Sequence, residues 1–252
     1  MFELFAGLTT ADPLTDVESA RLIFAGLDAH APAALPDRWG YFEPLTERWT
    51  DATLTQESWL DEAITWRTRR AADAEGWVSP VSRFGKQPRG NVGLSADRQR
   101  VDPLGIQTWL RSLAGPLRAD YGYLHIASQP DVITGRRTPG SITEADEGFH
   151  LMQSAATISQ AGIAELLWGT VFGPAYVALI GADPIRSAPA AQVEEIATDT
   201  YWLQITDKAT DPLEDWAAFD TARQAVKKHL GAKLFWDRDD SSPRLIPQWT
   251  AT

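Results

Sequence analysis

At 252 residues, with 44% hydrophobic and 23% charged side chains, the chain has the composition of a soluble globular protein: one large domain or two small ones. A net charge of −11 argues against nucleic acid as a partner, because binding it depends on clustered Lys and Arg. The absence of cysteine excludes disulfides and thiolate metal sites, and no apolar run approaches the ~20 residues that span a bilayer.

The N-terminal residues Met1 to Phe5 lack a basic segment, and Asp12, Asp16 and Glu18 follow, so neither a signal peptide nor a membrane partner is expected. The expected compartment is the cytoplasm. Phe2 to Leu8 reads as a first strand. Thr15 or Asp16 is placed to cap a helix reaching about His30, with Val17, Ala20, Leu22, Ile23 and Leu27 on its apolar stripe. Pro32 and Pro36 end it, and Trp39 to Pro44 reads as a second strand. Thr55 is expected to cap a second helix through about Ala74, with Trp59, Leu60, Ala63, Ile64 and Trp66 turned inward and Gly76 closing it. Trp77 to Phe84 and Asn91 to Ala96 read as a hairpin. Asp102 and Pro103 open a third helix through Leu113.

Tyr121 to Ser128 is the clearest strand, rich in aromatic and branched residues. From Gln129 to Gly148 periodicity is lost, the mark of a long loop. Pro174 and Gly181 bracket a short helix; Val193 to Ile196 and Tyr201 to Thr206 form a second hairpin. Asp211 and Pro212 introduce a last helix, Leu213 to Leu230, with Lys227, Lys228 and His229 in the turn favoured by the helix dipole. This order implies an α+β fold: a largely antiparallel sheet or sheets with helices packed on one face. The expected organisation is one unit, 1–252, with possible lobes 1–101 and 102–236 and a peripheral tail 237–252.

Catalytic and cofactor signatures are missing. None of the four histidines, His30, His125, His150 and His229, has a partner at metal-ligand helical spacing. Neither a glycine-rich phosphate loop nor a nucleophile elbow can be written. No metal or cofactor is therefore expected, and the protein is expected not to be an enzyme. His125, mid-strand beside Tyr123, carries the enzymatic alternative, a metal-independent reaction with an acid such as Glu43 or Asp131; a packed, satisfied imidazole is the simpler reading. Eleven Trp is an unusual number, and aromatics either fill cores or anchor interfaces. Trp59, Trp66 and Trp109 read as core, whereas Trp236 stands beside Asp237, Asp239 and Asp240. That cluster, with Glu144, Asp146 and Glu147 of the long loop, is the candidate surface for a basic protein partner.

Four blocks carry a resemblance: Phe172 to Val177 (FGPAYV), Ser187 to Pro189 (SAP), Tyr201 to Thr206 (YWLQIT) and Val226 to Gly231 (VKKHLG). In that order they resemble small bacterial immunity-type proteins of polymorphic and contact-dependent toxin systems, and Gly40 to Leu45 with Trp49 and Trp59 fits the same picture. The resemblance covers about two thirds of the chain, and its motifs are structural. It implies a non-catalytic module that occludes a cognate toxin; a structural or assembly protein is the remaining alternative.

Overall fold

Strand β1 (Leu4–Thr10) lies at the middle of the molecule in the computed structural model, antiparallel to β6 (Arg89–Ala96) on one side and to β7 (Ala119–Ile126) on the other. The structure describes residues 4–50, 55, 59, 62–68, 73–82, 88–127, 162–163, 165–235 and 242–248. Beyond β6 run β5 (Ala74–Ser82), β4 (Ile64–Arg67), β2 (Arg38–Gly40) and β3 (Glu47–Arg48). Beyond β7 run β8 (Gly169–Phe172), β10 (Thr200–Gln204) and β9 (Gln192–Ala197). Together they form one ten-stranded antiparallel sheet, which continues from β6 through β1 to β7 without a break.

Alternation sorts the side chains onto two faces. Leu4, Ala6 and Leu8 of β1 share a face with their partners Leu94 and Val92, Leu124 and Ile126. Helices α1 (Val17–His30) and α2 (Pro103–Ala114) cover that face. Asp16 caps α1 by accepting from the Ser19 N–H, and Asp102 caps α2 by accepting from Leu104. The Trp109 indole donates to the Ile23 carbonyl at 3.0 Å, locking the two helices together, while Gln107 reaches Gln204 of β10 at 3.0 Å.

The opposite face is covered over β7–β10 by α3 (Pro174–Ile180), α4 (Ala182–Arg186) and α6 (Trp216–Leu230), which follows the single turn α5 (Asp211–Glu214). Tyr176 of α3 packs on Tyr121 and Phe172 at 5.8 Å each, and Phe219 of α6 lies 5.8 Å from the His125 ring. The α+β class with a large antiparallel sheet is thus observed, with helices on one face over β2–β6 and, among the described residues, on both faces over β7–β10. Coverage on both sides is why neighbours Tyr201 and Trp202 are both buried although they point oppositely.

The expected second helix over 55–74 is a correction. Ile64, Trp66 and Thr68 are buried while Thr65 and Arg67 between them are not, a period of two, and Ala63, assigned inward, is exposed. Gly76 is no helix stop but sits mid-strand opposite Trp66. The last helix is also divided. Asp215 has φ −147° and accepts from the Ala218 N–H, ending α5 and capping α6.

One packing device recurs on both faces: an aromatic ring lies across the glycine of a neighbouring strand. Trp66 covers Gly76, Trp77 covers Gly93, Tyr123 covers Gly7 and Trp202 covers Gly169. Glycine removes the Cβ that would hold the ring off, so each bulky ring lies flat against backbone, shielding strand hydrogen bonds from water.

Candidate protein-docking face

Residues 1–82 hold fourteen of the Asp and Glu and only six Arg, so most of the net charge of −11 sits in the first third of the chain. That third builds α1 and the β2–β5 end of the sheet, and the same stretch supplies a run of aromatics. Phe24 of α1 meets Trp66 of β4 edge-on at 5.1 Å and Trp49 at 4.3 Å. Trp39 of β2 meets Trp49 at 6.4 Å and Tyr41 at 5.6 Å, both near perpendicular. The series runs from a fully buried Trp66 outward to half-buried Trp39, Tyr41 and Trp49, and Phe42, next to Tyr41 in the chain, is 79% exposed. Buried area at one end and solvent at the other make a graded apolar surface. A contiguous, partly exposed apolar patch rimmed by charge is a candidate interaction site.

A groove of about 400 Å³ opens between α1 and this aromatic series, with Phe24, Leu35, Pro36 and Trp49 as its apolar walls and Arg21 and Asp28 at its rim. Arg21 is turned along its own helix onto Glu18. Among the described residues no cation meets the Asp28 carboxylate. Arg38 is held by Asp37 and by the Thr46 carbonyl, and Arg67 by Glu43 at 2.8 Å and Glu75 at 3.4 Å. Burial and the Glu62 carboxylate both push the Tyr41 phenol above its ordinary 10, as expected where the local potential is negative.

A second cavity, of about 480 Å³, opens at the far end of β1 and β7, where Arg89, Arg118 and Asp120 meet the start of α3 and the β9–β10 turn. Arg89 and Asp120, each 3% exposed, form an ion pair that passes across β1 at the register shift between Thr9 and Thr10. Arg89 also donates to the Thr10 carbonyl. The pair ties β6 and β7 together where β1 is irregular, which explains a charge buried so deeply; desolvation lowers the Arg89 guanidinium below its ordinary value.

His125 is 1% exposed. Its Nδ1 accepts the Trp168 N–H at 3.3 Å and its ring packs on Phe219. Burial first, and the nearby Arg223 second, hold the imidazole well below its ordinary 6.5, so the ring is neutral at pH 7. Neither of the two cavities is lined by it. Arg223 belongs to a charge network with Asp220 and Lys227, also on α6, and with the buried Glu165, which precedes β8. Glu43 lies far along the chain's other end of the sheet, paired with Arg67, and Asp131 lies outside the described residues.

The sequence-derived partner residues Trp236, Asp237, Asp239, Asp240, Glu144, Asp146 and Glu147 all lie outside the described residues. Of the face formed by Trp39, Phe42 and Trp49, the sequence reading holds Trp39 and Phe42 in a strand, and Phe42 and Trp49 in a motif block, without joining them as a surface. The available signal was the coincidence of acidic charge and aromatic density before residue 82, a pattern visible only when charge is counted by segment. Among the described residues no group of three or more His, Asp or Glu could hold a metal ion, and no helix is long and apolar enough to cross a membrane.

No family model matches the chain, and no curated protein does. Among solved structures it is similar in fold to the Pseudomonas aeruginosa T6SS protein PA0821, with a TM-score of 0.53 and 14% identity, over 99% of this chain and 80% of that one.

Proposed function

We propose that the protein is a non-catalytic binding module, an immunity protein that neutralises a cognate basic toxin by occluding it. The observation that carries the reading is the coincidence of an aromatic series, half-buried Trp39, Tyr41 and Trp49 with exposed Phe42, with the most acidic third of the chain. Occlusion needs a few aromatic anchors for affinity and complementary charge for encounter and register, and no reacting atoms. The T6SS description of a fold neighbour supports a secretion-system setting, in which an assembly component is the second reading.

The test is co-purification with the products of neighbouring genes, followed by binding measurements on Phe42→Ala. Because Phe42 is 79% exposed, its truncation leaves the fold intact. An immunity protein forms a one-to-one complex that protects cells from the partner, weakens with salt and loses at least tenfold in affinity in Phe42→Ala. A complex without protection supports the assembly role. The docking reading fails if no neighbouring product binds, or if binding ignores both salt and Phe42.

A further inference from the structure

We infer that the groove between α1 and Trp49 receives a guanidinium side chain of the partner, stacked on the indole and ion-paired with Asp28. The inference rests on the docking reading above and names its chemistry. The two requirements of a guanidinium site, a π face and a carboxylate, meet here. Trp49 is gripped by Phe24 at 4.3 Å with a 48° tilt and by Trp39 at 6.4 Å and 89°, which fixes the ring while it still lines the groove. Tryptophan is the strongest aromatic partner for a cation, and arginine the cation most often found there.

Asp28 stands at the rim, exposed and, among the described residues, without a cation. Arg21, the other charged residue of the rim, is occupied by Glu18. Among the described residues the groove therefore presents one carboxylate, that of Asp28, without a compensating cation. Leu35 and Pro36 complete an apolar wall suited to the three methylenes of an arginine, which bury their stem while the charged head meets water and carboxylate. The volume, about 400 Å³, holds such a side chain with room for solvent. The planar fork of guanidinium matches both partners at once, stacking on indole and presenting paired donors to a carboxylate, which a lysine ammonium does not.

The experiment titrates full-length 15N-labelled protein with the blocked tripeptide acetyl-Gly-Arg-Gly-amide. A second titration uses the same peptide with citrulline, which keeps the shape and loses the charge. The Trp49 indole N–H resonance, assigned through Trp49→Phe, is the readout. The expected result is a saturable shift with the arginyl peptide. Affinity falls at least threefold with the citrulline peptide and at least threefold in Asp28→Asn, whose exposed position leaves folding unchanged by circular dichroism. No saturable shift, or either ratio below threefold, overturns the inference. A toxin partner bound by Asp28→Asn with undiminished affinity likewise overturns it while leaving the docking reading intact. Absence of any partner removes the docking reading, and the peptide titration decides the groove by itself.

Discussion

Replacing Gly76 by alanine tests whether the glycine–aromatic contacts hold the sheet together. A methyl group at this position would fall less than 3 Å from three ring atoms of Trp66. Trp66 has nowhere to retreat. It is 0% exposed, and Phe24 stands against it at 5.1 Å from the helix side. Overpacking a site of this kind costs about 1–3 kcal/mol when neighbours yield, and the position of Gly76 beneath a fully buried indole puts it toward the upper end. For a chain of this length, 2–3 kcal/mol corresponds to a fall of about 4–12 °C in Tm. Urea unfolding of wild type, Gly76→Ala, Trp66→Leu and the double variant measures the coupling directly. Trp66→Leu destabilises in its own right by cavity formation, but it also vacates the space the new methyl needs. The cost of Gly76→Ala is therefore at least 1 kcal/mol smaller in the Trp66→Leu background. Equal costs in the two backgrounds, or a neutral Gly76→Ala, would refute the argument that the ring sets the need for glycine.

Two further perturbations follow from the buried polar groups. Asp120→Asn removes the buried carboxylate that faces the Arg89 guanidinium and is expected to cost about 3–5 kcal/mol in urea unfolding. The double replacement Arg89→Met with Asp120→Leu should be milder than that single change, and a double variant worse than Asp120→Asn would show that the pair stabilises in net. His125 gives a pH dependence. Its folded-state value lies below the ordinary 6.5, so the unfolded chain binds a proton that the folded chain refuses. Its stability contribution is complete above pH 6.5 and is lost as the pH falls below that value, at up to about 1.4 kcal/mol per pH unit. His125→Asn retains an acceptor for the Trp168 N–H, so unfolding between pH 7 and 5 should show a flatter slope than wild type; identical slopes would mean that the imidazole takes up its proton while folded.

What the sequence made legible divides along the range of the interaction that decides each element. The caps at Asp16 and Asp102, the Pro174 start and the β9–β10 hairpin are decided within a few residues, and each lies where local chemistry places it. Residues 64–67 read as helix yet pair as strand, because their decisive partners are remote in sequence or lie on the adjacent strand, whereas the strand reading from Trp77 onward agrees with β5. Trp66 satisfies a helical stripe and a strand alternation equally well over so short a run; only the flat surface offered by Gly76 and the approach of Phe24 select the strand. The docking face has the same origin. Trp39, Trp49 and Phe24 belong to separate elements, and nothing in their spacing says that they meet, whereas the acidic excess of the first third is readable at once. Charge is a property of a segment, but a groove is a property of its assembly. The guanidinium site joins the two, since Asp28 contributes the charge from α1 and Trp49, beside β3, contributes the ring. Separating those contributions by Asp28→Asn and Trp49→Phe is therefore the measurement that relates this protein's acidity to its recognition: both changes must weaken arginyl binding, since one removes the carboxylate and the other replaces the strongest aromatic partner of a cation by a weaker one.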